Sequence, residues 1–499
     1  MTFSWLNYSI LGVYLAAMVG IGVFLSSRQK STEDFFLAGR RMPWLAVAMS
    51  MYASLTSAVT YMGLPGLAYR SNVTLIVVCV VSPVLAPFLI LLFYPFYRRL
   101  RVTTSYEYIG LRFGRVPRLT VSGLFLLARL GWLGTVIYAP ALALSTATGM
   151  SLATAILLLG VLATVYTVLG GLSAVIWTDV VQFLILVIGA GWLAVALVGM
   201  APGGVMEILR VAAAADHIQL NLQVNWYRMS ALAVAASFFF QMMQDYGTDQ
   251  VTVQRLLAVR SYRGMIKAVL FNAVTDFILV GTLLFIGLGL FAYYQLFPDQ
   301  LAAGLSGDQI LPYFIVHNLP DGVSGLLITA IFAAAMSSMD SGINSMATVI
   351  MNDFIRPFRR TQAAPETAVR QARLWTLALG GFSTGMAFYV STLQGIVEAF
   401  ASFMSLFSAP VLALFLLGML SRRARFGGWC VGATLSVAVT FFVQHYTRIN
   451  WVYYFPIAFV LSFSVGLLWS ILWRGRKDMT PAPEELTLRG SWRRMDAIP

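Results

Sequence analysis

Ile331–Thr348 reads IFAAAMSSMDSGINSMAT. The run lies in an apolar segment, 321–355, that is long enough to cross a bilayer. Yet seven of the twelve residues from Ser337 to Thr348 are polar: Ser337, Ser338, Asp340, Ser341, Asn344, Ser345 and Thr348. Polar groups at bilayer depth are costly and tend to line a cavity or an ion path. Ala334, Ser337, Ser338, Ser341 and Ser345 recur at helical spacing and share one face. That face offers oxygens and small groups but no thiol or imidazole, which suits a hard cation.

The rest of the chain sets this helix in a membrane. Of 499 residues, 59% are hydrophobic and only 11% are charged. Soluble domains carry about 25% charged residues. Apolar runs fall near 6–26, 44–66, 73–97, 119–147, 151–170, 176–200, 229–258, 264–296, 321–355, 369–392, 397–420, 426–445 and 451–473. Each is about as long as a hydrocarbon core of roughly 30 Å requires, so the expected fold is all-α with thirteen transmembrane helices. The first run has no basic leader and no small-residue cleavage site, so it is read as a span.

The net charge of +13 reports topology. All Lys and Arg residues except Arg70, Arg129, Arg210, Arg228 and Arg448 fall in one alternating set of loops and the tail. The positive-inside rule then places the N-terminus outside and the C-terminus in the cytoplasm of a cell (inner) membrane. It also removes nucleic acid as the explanation for the charge. Two cysteines, three histidines and no Cys/His cluster argue against zinc or haem. No nucleophile–base pair or Walker motif is apparent, so neither an enzyme nor a direct ATP-driven pump is expected.

Other spans carry polar groups of their own. The second contains ASLTSAVT, Ala53–Thr60, followed by Gly63, Pro65 and Gly66. Such a helix can unwind at mid-depth and offer carbonyls to a cation, although small residues also serve close helix packing. Asp179 lies just inside the sixth span, as a capping carboxylate or a cation ligand. Arg255, at the inner end of the seventh span, is expected to pair with a nearby carboxylate, Asp249 above all. Arg129, Asp276 and Glu398 are further intramembrane charges, each read first as half of a structural ion pair.

Several motifs in order then carry a resemblance. STEDFFLAGRRMP at 31–43, TSYEYIGLRFG at 104–114, VIYAPALALSTATG at 136–149, YTVLGG with AVIWTDVVQ from Tyr166 to Gln182, TDQVTVQR at 248–255 and AAMSSMDSGINSMATVIMNDF at 334–354 resemble the sodium:solute symporter family. The likeness runs from end to end. It implies a LeuT-type five-plus-five inverted repeat: an extra helix at 6–26, a first repeat at 44–200, a second at 229–420, and two extra helices at 426–473. These form one transporter domain, 1–475, with a cytoplasmic tail at 476–499. Function as a monomer is expected.

The resemblance implies sodium as coupling ion, bound at a first site by Ala53, Thr56, Ala334, Ser337 and Ser338. A second site maps onto Asp179, Ser337, Asp340 and Ser341. Position 340 is serine in the sialic-acid branch, so Asp340 here could hold a second sodium or a proton. Substrate positions map onto Leu55, Ser57, Thr60, Leu75, Cys79, Trp132, Tyr246, Gln394 and Phe400. Trp132 stands where the sialic-acid branch places a carboxylate-gripping arginine, which argues against sialic acid. The wording of VIYAPALAL and IWTDVVQ is closest to the branch carrying iodide, monocarboxylates and vitamins. A small organic anion or vitamin-like solute, compact and partly hydrophobic, is therefore expected. The alternatives are a proton-coupled transporter of the same fold and a membrane sensor.

Overall fold

The computed structural model describes residues 4–26, 36–100, 102–169, 171–305, 307–358, 365–393, 395–472 and 486–488. Residues 31–35 of the first motif, Gln394 and nearly all of the tail lie outside the described residues. Among those described there is no β-strand, only one isolated bridge between Met42 and Val259.

The helices, in chain order, begin with α1 (Trp5–Ser26), α2 (Trp44–Leu55), α3 (Ala58–Arg70), α4 (Val78–Leu92) and α5 (Tyr94–Leu100). They continue through α6 (Tyr106–Phe113), α7 (Arg115–Thr148), α8 (Leu152–Leu169), α9 (Leu172–Met200) and α10 (Gly204–Ala214). Next come α11 (Ala231–Gly247), α12 (Gln250–Ala258), α13 (Tyr262–Leu296), α14 (Gly307–Asn318) and α15 (Val323–Val349). The chain ends with α16 (Pro365–Val390), α17 (Ile396–Leu420), α18 (Phe426–Tyr446) and α19 (Tyr454–Leu472). The stretches between expected spans at 201–228 and 297–320 carry α10 and α14.

Among the described residues, nine helical segments are long and apolar enough to cross a membrane, and the bent pair α2–α3 makes ten. The other three expected runs are helical but less plain. In α8 the apolar stretch counted among the described residues is Leu152–Val165, short of a full span. The run 229–258 is divided into α11 and α12, and α16 begins in the charged stretch PETAVRQAR.

Burial sorts the helices into a centre and a rim. The most apolar window of α1 is 28% buried, whereas that of Val323–Phe358 is 94% buried. A helix covered on all sides must find protein partners for its polar groups, because neither water nor lipid reaches them. The polar face of α15 is thus the middle of the molecule. Thr56 and Ser57 interrupt the second span, and α2 and α3 meet there at 57°. Ser57 caps the new start, its Oγ accepting from the Val59 amide at 3.1 Å. The seventh span breaks likewise at Thr248–Asp249, where the Asp249 carboxylate accepts from the Val251 amide at 2.9 Å.

At the periphery, α18 and α19 pack through glycines. A Cβ on Gly432 would stand 2.5 Å from the Ser462 carbonyl and 2.7 Å from the Gly466 nitrogen. Backbone cannot swing aside as a side chain can. Gly432→Val should therefore cost about 1–3 kcal/mol through overpacking. The check is the Tm of the purified protein, and an unchanged Tm would mean that the two helices spread freely.

Candidate functional site

The break in the second span faces the hydroxyls of α15. Ser337 Oγ donates to the Ala53 carbonyl at 2.6 Å and lies 3.2 Å from its own-helix Ala334 carbonyl. Ser338 Oγ donates to the Ser54 carbonyl at 2.9 Å. Both serines are fully buried. Thr56, at the break itself, gives its amide to the Tyr52 carbonyl at 2.8 Å. The residues expected at a first cation site are thus carried on two facing elements. Ala53, Ala334 and Ser337 join directly, Ser338 binds one residue along, and Thr56 lies at the helix end. The result is a group of neutral oxygens from two helices, of the kind that replaces a hydration shell around a small hard cation.

The residues mapped to a second site are not drawn into one hydrogen-bonded group. Asp179 and Ser341 meet, but through Arg255 and Ser54. The guanidinium pairs with Asp179 Oδ2 at 3.0 Å, donates to Ser50 Oγ at 2.8 Å, and also donates to Ser341 Oγ. Ser50 and Ser54 donate to the same carboxylate oxygen at 2.6 and 3.3 Å, and Ser54 lies 2.8 Å from Ser341. Asp179 Oδ1 accepts no hydrogen bond among the described residues. Ser337 belongs to the first group, and Asp340 Oδ1 accepts from Thr167 of α8 at 2.9 Å.

Arg255 therefore does not pair with Asp249, as expected from the sequence. Asp249 caps α12, and Arg255, six residues on, does not fall at a helical spacing that would bring it over the cap. Asp249 instead holds Arg129, with Oδ2 at 2.6 Å from Nη2 and 3.1 Å from Nε. The remaining polar residues of α15 serve packing. Asn344 and Thr348 accept from the Gln254 amide at 3.1 and 3.2 Å. Ser345 turns back to the Gly342 carbonyl.

Beside the break lies a cavity of about 130 Å³. Leu55, Ser57, Thr60, Trp132, Tyr246 and Phe400, six of the mapped substrate positions, line it, and Thr56 joins them. Leu75 and Cys79 do not line it. Both are buried in the core, and their neighbour Val78 reaches the cavity instead. Phe238, Gln241, Met242 and Trp451 complete walls that the sequence reading missed. Two further lining residues are Asp245 and Asp276, the second expected from the sequence only as an intramembrane charge. Asp276 accepts from Ser82 at 2.8 Å, and among the described residues no basic group pairs with it. Asp245 lies 3.7 Å from Arg129 Nη2. Glu398 likewise has no ion-pair partner among the described residues. It lines a larger cleft of about 970 Å³ among α7, α16, α17 and α18, which contains neither the helix break nor the face of α15.

Comparison with known proteins supplies the ion that the geometry leaves unnamed. A sodium/sialic acid symporter of Proteus mirabilis is 33% identical over 482 residues, covering 96% of this chain and 97% of the relative. A sodium-dependent multivitamin transporter of Oryctolagus cuniculus is 33% identical over 455 residues, 89% of this chain and 70% of the relative. The substrate-bound outward-open structure of a Na+-coupled sialic acid symporter superposes with a TM-score of 0.88 at 31% identity, covering 96% of this chain and 99% of that one. The description of the sodium:solute symporter family matches residues 35–435. With that match across most of the chain, and with relatives of this identity along nearly its whole length, the chain belongs to the sodium:solute symporter family.

Proposed function

We propose that this sodium-coupled symporter binds its coupling ion where α2 breaks against α15, with Ala53, Thr56, Ala334, Ser337 and Ser338 as ligands. The observation that carries the reading is the clasp of Ser337 on the Ala53 carbonyl beside that of Ser338 on the Ser54 carbonyl. Sodium inserted there would tie the broken helix to the central one. A ligand shifts a conformational equilibrium only through its different affinities for the two states. Coupling then requires that this two-helix geometry exist in one state and open in the other.

The finer architecture belongs to the same proposal. With α8, the α11–α12 pair and α16 counted as spans, the helices number thirteen. Two broken helices, α2–α3 and α11–α12, would open a first repeat at 44–200 and a second at 229–420. Basic loops then put the N-terminus outside and the tail in the cytoplasm, and the protein works as a monomer. At the second mapped site, Arg255 already supplies positive charge between Asp179 and Ser341. This favours a single sodium, with a second ion at Asp179, Ser337, Asp340 and Ser341 as the alternative.

The solute sits in the cavity beside the break, where the space suits a compact, partly hydrophobic molecule. The small organic anion, monocarboxylate or vitamin-like compound read from the sequence would meet two lining carboxylates there and no Lys or Arg side chain. Sialic acid would meet the same wall. The lining thus supports the expected size but weighs against a negative charge.

The sodium site is tested without knowing the solute. Sodium should raise the Tm of the purified protein by mass action. Losing one hydroxyl ligand at about 1–3 kcal/mol should raise the half-maximal sodium concentration of Ser338→Ala roughly tenfold or more. An unchanged sodium dependence removes Ser338 from the ligand set. A Tm that follows pH and ignores sodium selects the proton-coupled alternative.

A further inference from the structure

We infer that the solute of this symporter carries a substituted ammonium group, held between Asp245 and Asp276 against the aromatic wall of the cavity beside the helix break. The inference rests on the symport reading for the role of that cavity. The chemistry comes from the lining.

The two carboxylates come from different elements, Asp245 from α11 and Asp276 from α13, and both reach the same cavity. Asp276 takes two hydroxyls, from Ser82 and Tyr52, and no cation among the described residues. Asp245 accepts no hydrogen bond among the described residues, and its nearest cation is Arg129 at 3.7 Å. That arginine is already committed. It binds Asp249 at 2.6 Å, and its guanidinium lies 4.3 Å from the centre of the Trp132 ring, so it is spent behind the wall. In and directly behind the lining, one cation thus faces three carboxylates. An uncompensated carboxylate away from water is expensive. Negative charge left over at a binding cavity favours a ligand that brings its own positive charge.

The walls decide what kind of cation. Trp132, Phe238, Tyr246, Phe400 and Trp451 line the cavity with Leu55 and Val280. A bare metal ion needs a shell of oxygens at close range, and this cavity is largely carbon. Aromatic faces attract a diffuse organic cation, and substituted ammonium groups are the recurring guests of such cages. The sodium clasp is separate, since its oxygens come from backbone and serine at the α2–α15 contact. Ion and solute would therefore occupy adjacent places built from different chemistry.

The test holds sodium at saturation and compares three probes of one shape: choline, its neutral tert-butyl isostere with carbon in place of nitrogen, and the anion tert-butylacetate. The readout is the concentration of each that gives a half-maximal rise in Tm. Choline should act at a concentration about tenfold or more below its neutral isostere, given the strength of a desolvated cation–aromatic contact and its paired carboxylate. Asp245→Asn should reduce that preference to about threefold or less. Asp276→Asn serves as the second variant. In each variant the sodium-induced rise in Tm, measured without any probe, reports folding and an intact ion site. Equal action by choline and its isostere, preference for the anion, failure of choline to act at all, or a preference untouched by both substitutions overturns the inference. Loss of the sodium response in wild type would instead overturn the symport reading, so the two failures are separable.

Discussion

Arg255→Met should lower the stability of the purified protein by about 3–5 kcal/mol, the cost of leaving a buried carboxylate without its cation. Arg255 and Asp179 are almost fully buried, and their pair is the centre of a group that also holds Ser50, Ser54 and Ser341. Without the guanidinium, Asp179 keeps two hydroxyl donors on Oδ2 and still has nothing on Oδ1. Asp179→Asn removes the charge and leaves the guanidinium partly satisfied by Ser50, Ser341 and the Val251 carbonyl, so its cost should be smaller. The double substitution should recover part of the loss, because groups in one network are not additive. A Tm of Arg255→Met within a degree or so of wild type would mean that water or another cation reaches Asp179 freely. The pair joins α9 to α12, which the proposed division assigns to different repeats, so it would hold together two elements that a rocking of those repeats would separate. Asp179→Asn should accordingly weaken coupling even where it folds well.

How much of this was legible in the sequence depends on the distance over which each signal acts. The oxygen-rich face of α15 was readable because helical spacing alone puts Ser337, Ser338 and Ser341 together. The break at Thr56–Ser57 was readable because small and hydroxyl residues cluster where a membrane helix has least to lose by unwinding. The second break, at Thr248–Asp249, was harder. Its signal is one capping aspartate, which the sequence reading had assigned to Arg255.

The partners of the buried charges were not legible at all. Arg129 finds Asp249 across 120 positions, and Arg255 finds Asp179 across 76. Both choices follow from tertiary packing that no local period encodes. The same limit applied to the cavity. Asp276 was visible as an intramembrane charge, but a structural ion pair and a site residue look alike in sequence until the tertiary partners are known. Family wording, meanwhile, pointed toward an anion. The lining carries two carboxylates, and those are a more direct report on charge than similarity in neighbouring segments.

Arg129→Leu should be comparably severe, again about 3–5 kcal/mol, and its pattern of rescue should differ from that of Arg255. Asp249 would keep the Val251 amide at 2.9 Å and the Gln244 amide at 3.2 Å but lose its only ion-pair partner among the described residues. Asp245, four residues earlier, would lose its nearest positive charge. Asp245 and Asp249, which share Arg129, would then repel each other without a cation between them. Asp245→Asn added to Arg129→Leu should therefore restore stability, whereas Asp276→Asn, on another helix and held by Ser82, should not. The Trp132 ring would also lose the guanidinium that lies over it at 4.3 Å, so the cavity wall should loosen and solute affinity should fall further than stability alone predicts. Tm values for the single and double variants, read with and without sodium, decide the matter. If Arg129→Leu is neutral, or if both aspartate substitutions rescue it equally, Arg129 is not the charge that balances the cavity wall.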